Sequence, residues 1–349
     1  MGVLSAKSLA VGPSMSEFTT EEWDGVRAPG KGSMVKTLLV RISTRLVLLA
    51  GIVAVCAAGA HAQSEWFGKN KVQYKDFEWR ILKTPHFDVH FTEGYRDLAG
   101  RTGVILEYGY RKLANDFTHQ IQWRIPVIIY GSHSDFQQTN VTWSLIPEGV
   151  QAFAEPLRKR MVLHFSGSNA DYSHTAIHEL VHIFSYDIIY GTLLRSVFSR
   201  NLLFPIPLWF MEGIAEYYSA GYDPTGEMFM RDAAVFDYLV DLDYTDGYMA
   251  YKAGQAAIFY LNETYGPTKV IEIMDNLRNQ RGSTGMALQN ALGITSEELS
   301  KEWKKAMRRR YWPLYADKKD AESYGRRLTD HMKKHHYMNT RPVFSPDGE

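Results

Sequence analysis

The chain has one cysteine in 349 residues, and Cys56 sits in an apolar run near the N-terminus. A lone thiol excludes an internal disulfide framework and a cysteine-ligated metal. Net charge is also missing. The 39 Lys and Arg balance 39 Asp and Glu, so there is no global electrostatic argument for nucleic acid, and nucleic acid is not an expected partner. No uninterrupted apolar run reaches the ~20 residues of a membrane span. Repeats with a period of 20–50 residues are absent, which excludes solenoids and arrays. What the chain does hold is 45% hydrophobic and 13% aromatic residues, enough to bury a core in one large domain or two small ones.

The apolar run explains itself. From Met34 the chain carries a basic lead (Lys36, Arg41, Arg45), the run Leu46–Ala60, and Ala60-His61-Ala62 before Gln63. That is the layout of a secretory signal peptide cleaved after Ala62. Residues 1–62 are therefore expected to be an N-terminal extension plus signal peptide. Residues 1–33 then either precede the true start at Met34 or form a polar extension. The mature protein is expected outside the cytoplasm, in the periplasm or cell envelope of a bacterium, or secreted, and without cysteine.

The remainder predicts an α+β fold over residues 63–338. "HFDVHF" (86–91) alternates like a half-buried strand. Residues 97–117 carry helical spacing, "IPVIIYGS" (125–132) is a short buried strand, and 149–156 with 160–167 form a hairpin around Leu157-Arg158-Lys159. Helical patterns dominate from Asp171 onward. Thr295 with Glu298 is a capping box opening a helix. A mixed sheet-and-helix half with an edge-strand hairpin thus precedes a helical half, with a cleft expected between them.

The chemistry lies in "TAIHELVHIFSYD" (175–187). Ile177, Leu180, Val181 and Phe184 form an apolar stripe. His178 and His182 lie one helical turn apart on an adjacent face, about 6 Å along the axis. Two imidazoles so placed converge on one cation, and Glu179 projects beside it, where a base must sit to take a proton from water. An ordinary helix can also carry two histidines, so a third ligand is required. "PLWFMEGIAEYYS" (207–219) supplies Glu212 and Glu216 at i and i+4, with Gly213 and Ala215 small enough for close helix packing. Glu212 would bind zinc and Glu216 would hold the free ring nitrogen of a ligand histidine. The plainer alternative is a surface helix with two solvated glutamates.

HELVH followed by WFMEGIAEY resembles the gluzincins, the thermolysin-like metallopeptidases of the MA clan. The resemblance implies a zincin-like fold and Zn²⁺ held by His178, His182 and Glu212. It also implies Glu179 as general base and Glu216 in the acidic position behind a ligand. An oxyanion donor from the helical half is implied too; Tyr251 is chosen, with Tyr248 as its neighbour, and His174 either lines the cleft or is a solvated helix-start histidine. The expected substrate is an extended peptide or protein, pairing with one strand of the hairpin. The final "RPVFSPDGE" is similar to the opening of a TolB-like β-propeller, so residues 339–349 are expected to begin a second, truncated domain and partner. Two other readings stay open. One is a non-catalytic envelope scaffold. The other is peripheral membrane contact through the apolar insertion 188–206 and the basic stretch 301–334; the plainer alternatives are packing of the insertion over the fold and a solvated helix face for the basic stretch.

Overall fold

The computed structural model describes residues 74–140, 146–156, 158–191, 206–279, 283–319, 321–326, 328–329, 343 and 345–347. All of these belong to one compact unit, Asn70–Glu349. The signal peptide, most of the 188–206 insertion and most of the expected propeller start lie outside the described residues.

Five strands form one sheet in the order β1-β2-β3-β5-β4. They are β1 (Trp79–Lys83), β2 (Phe87–Thr92), β3 (Ile125–Tyr130), β4 (Ala152–Glu155) and β5 (Arg160–His164). The central strands β2, β3 and β5 run parallel, while β1 and β4 are antiparallel edges. Alternation decides the faces. Phe87, Val89 and Phe91 of β2, Ile125, Val127 and Ile129 of β3, and Met161 and Leu163 of β5 share the main core. The helices α1 (Arg96–Asp116) and α3 (Asn169–Tyr190) contribute Leu106, Leu113, Leu180 and Phe184 to that same core. On the opposite face Tyr130 and Val162 join Phe136, from the short helix α2 (His133–Gln137), and Ile146 in a smaller cluster.

The helical half comprises α4 (Leu208–Ala220), α5 (Pro224–Val235), α6 (Gly247–Tyr265), α7 (Thr268–Asn279), α8 (Thr284–Leu292) and α9 (Ser296–Tyr315). The expected capping box at Thr295 and Glu298 opens α9. α4 and α6 touch backbone to backbone. A Cβ on Gly213 would lie 2.5 Å from the carbonyl carbon of Gly254, and one on Gly254 would lie 2.1 Å from the Trp209 carbonyl oxygen. Only glycine permits that approach, and it brings Glu212 and Glu216 beside Tyr251 and Lys252.

Two expectations change. The insertion starts later than its composition suggests, because Ile188, Ile189 and Tyr190 are the buried end of α3. The basic stretch is partly neutralised within the fold: Lys304 pairs with Asp241, Arg308 with Asp237 and Arg310 with Glu227. Among the described residues no helix is long and apolar enough to cross a membrane.

Candidate metal centre

Ser168 caps α3 by accepting from the Asp171 N–H, and the apolar stripe sinks the helix into the core. His178, Glu179 and His182 are consequently buried, at 8%, 7% and 6% exposure. The glycine crossing delivers Glu212 from α4. Three atoms converge: His178 Nε2 lies 3.2 Å from His182 Nε2 and 3.2 Å from Glu212 Oε2. His182 Nε2 lies 3.3 Å from the same oxygen.

This triangle tests whether the residues fit a zinc ion. Bonds of 2.0–2.1 Å set tetrahedral donor atoms ~3.3–3.4 Å apart, which matches all three edges. Two imidazoles and a carboxylate are also the donor chemistry zinc takes. Hydrogen bonding alone serves the triangle badly, since two ring nitrogens facing each other and one carboxylate oxygen offer at most two protons for three edges.

The electrostatics point the same way. Burial opposes charge on His178, but its contacts with Glu212 and Glu216 outweigh burial and lift its pKa to about 10. Burial likewise opposes charge on Glu212, and the two histidines still hold its carboxyl far below the usual range. Glu216, also buried, is brought down to about 2 by His178 and Lys252. Burial pushes Glu179 up and the charge of Glu212 adds to that, while His182, His178 and a hydrogen bond from the Ala154 N–H only partly offset it. In the cation-free protein the ring holds a proton where a positive ion would otherwise sit.

Glu216 stands behind the triangle as expected, with Oε1 3.2 Å from His178 Nδ1. His178 therefore donates through Nδ1 and keeps Nε2 for the triangle. Tyr251 stacks nearly parallel on His178, with ring centroids 6.1 Å apart and 11° between planes. Its hydroxyl donates to Glu212, and burial, with the fields of Glu212 and Glu179, raises its pKa. Tyr248 sits one ring further out, 6.3 Å from Tyr251, and is exposed. His174 Nε2 reaches to 3.9 Å of Glu216 Oε1 without a hydrogen bond. His174, His178 and Glu216 form a second geometrically possible metal group. There, however, the Lys252 ammonium bonds the other oxygen of Glu216 at 2.6 Å, so a cation on Oε1 would face a positive charge across one carboxylate.

Lys252 is the residue the sequence reading missed. Its side chain is 4% exposed, bonded to Glu216 Oε2 and 3.5 Å from Asp223 Oδ2. The available signal was a lysine set among Ala250, Ala253 and Gly254 in an otherwise small and apolar stretch of helix.

The hairpin also meets the site. β4 is the sheet edge beside α3, and the Ala154 N–H that reaches Glu179 points away from β5. Ladder alternation then turns Ala152 outward too, while Phe153 and Glu155 pair with β5. The backbone groups of β4 that face outward are thus those of Ala152 and Ala154.

The sequence profile of the Peptidase MA superfamily matches residues 107–309, more than half of the chain. The match runs from within α1 to within α9 and includes every residue of the triangle. No curated protein and no solved structure matches the chain. On the profile match, which spans both the buried HELVH helix and the glutamate helix packed against it, the chain belongs to the Peptidase MA superfamily.

Proposed function

We propose that this protein is an exported zinc-dependent peptidase that hydrolyses peptide bonds with Glu179 as general base. The observation that carries this is the triangle of His178, His182 and Glu212, with edges of 3.2–3.3 Å and Glu179 buried alongside. These three residues would hold the ion; when bound, zinc supplies a Lewis acid that acidifies water and polarises a carbonyl. Glu179 accepts the proton of the attacking water and passes it to the leaving amine. Its burial favours that role, because a raised pKa makes it a better base. Tyr251, released from Glu212, turns its hydroxyl toward the developing oxyanion. The outward backbone groups of β4 pair with an extended peptide, and Ala154 ties that edge to the base. Export rests on the signal-peptide pattern of residues 34–62, and the C-terminal propeller is the proposed covalent partner.

The test is metal and turnover together. One zinc per chain, chelator-sensitive cleavage of a peptide library, and loss of cleavage with zinc retained in Glu179→Gln are expected. Zinc without cleavage in the unaltered protein would favour the scaffold reading instead.

A further inference from the structure

Beyond the triangle, one polar string runs through the helical half. His178 on α3 donates to Glu216 on α4, Glu216 accepts from Lys252 on α6, and Lys252 faces Asp223. Asp223 in turn is the N-cap of α5, accepting from the Gly226 N–H. The two oxygens of Glu216 are divided: Oε1 serves His178 and Oε2 serves Lys252. A carboxylate fixed at both oxygens has its plane fixed, and with it the ring it orients. The Tyr248 ring covers Lys252, with the ammonium 5.6 Å from its centroid.

His182 shows what an unanchored ligand looks like. Its Nδ1 is buried and has no hydrogen-bond partner among the described residues. Orientation of the metal site therefore enters through His178 and Glu216.

Charge gives Lys252 a second reason to be there. Glu179, Glu212 and Glu216 bring three negative charges to one buried cluster, so a dication alone would leave it net negative. Lys252 offsets the excess beside Glu216, while Asp223, 3.5 Å from the same ammonium, adds a negative charge of its own.

We infer that Lys252 is a positioning residue for the metal centre, locking the Glu216 carboxylate and through it the orientation and tautomer of His178. The inference rests on the zinc-peptidase reading. Position and charge pull in opposite directions here. Removing a nearby positive charge favours cation binding by Coulomb attraction, whereas loosening the anchor of a ligand histidine typically weakens metal affinity 10–100-fold. The structure favours the second effect, because Lys252 reaches the triangle only through Glu216.

The experiment measures Zn²⁺ affinity by competition with a chromophoric chelator, and the Co²⁺ absorption spectrum as a report of ligand geometry. The unaltered protein is compared with Lys252→Met, Glu216→Gln and the double variant, each with its folded fraction checked by circular dichroism. Lys252→Met is expected to lose ~10–100-fold in Zn²⁺ affinity and to change the Co²⁺ spectrum. The double variant should bind no more weakly than Glu216→Gln. Unchanged or tighter binding by Lys252→Met overturns the inference. If Lys252→Met does not fold, the double variant decides, since it removes the Glu216 charge together with that of Lys252. A double variant matching Glu216→Gln supports the proposal, and a further tenfold loss overturns it by showing action independent of Glu216. Failure of the unaltered protein to bind Zn²⁺ would defeat the peptidase reading itself, and is seen before any variant is compared.

Discussion

Two positions along helix α3 carry the same chemistry for different purposes. Toward its middle, Glu216 is held between a histidine and a lysine, His178 and Lys252. Near its C-terminal end, Asp187 is held between His119 at 2.8 Å and Lys159 at 3.1 Å. Both carboxylates are buried. Lys159 belongs to the β4–β5 turn, with its ammonium 3.5 Å from the centre of the Trp123 ring, so the Asp187 group clamps the hairpin to α3. The difference lies in the second nitrogen of each histidine. His178 turns Nε2 toward His182 and Glu212, whereas His119 joins no group able to hold a metal among the described residues. A carboxylate–histidine–lysine cluster is thus a structural clasp by default, and becomes part of a metal centre only when its ring faces further ligands.

Altering each cluster separately should show this. The largest effect is expected from Glu179→Gln, a ~10²–10⁴-fold loss of kcat/KM with zinc content unchanged. Retained turnover would show that Glu179 is not the base. Asp187→Asn should act on the fold instead. Breaking a buried pair costs ~3–5 kcal/mol. Because Lys159 retains 18% exposure, a loss nearer ~2 kcal/mol is expected by chemical denaturation, with zinc affinity intact. A loss of zinc affinity there would erase the distinction between the two clusters.

A third effect follows from protons. The His178 pKa is raised to about 10 from 6.5, so the cation-free protein keeps that proton at pH 7. In that form its charge contributes stability that is full below the unfolded value near 6.5 and lost as pH rises through about 10. A metal ligand must give the proton up, so zinc affinity should fall by up to ~tenfold per pH unit below 10. Calorimetry at pH 7 in buffers of different ionisation enthalpy should find about one proton released per zinc. No release would contradict the assigned His178 environment. The smallest effect is at the sheet edge. Ala152→Pro should reduce peptide turnover several-fold by removing an outward donor, without changing zinc content. Phe153→Pro would break the β4–β5 ladder and is no test of substrate pairing.

Where partners lie four residues apart on a helix, the sequence showed them. His178 with His182, and Glu212 with Glu216, follow from helical period alone, as do the alternation in β2 and the Thr295 capping box. Partners brought by tertiary packing were invisible. Lys252 meets Glu216 across 36 residues of chain. Asp187 lies inside the HELVH stretch, yet its partners are 68 and 28 residues away. Gly213 was legible as a small residue for helix packing, but Gly254, which completes the crossing, was not. β1 escaped because four of its five residues are exposed, leaving no alternation to read, and α2 because five residues carry no period.

The central claim is that two imidazoles and the Glu212 carboxylate grip one ion. It is tested most directly by metal analysis of the purified chain beside its Glu212→Ala variant. One zinc per chain in the first and a small fraction of that in a folded second is the predicted result. Equal zinc in both would contradict it.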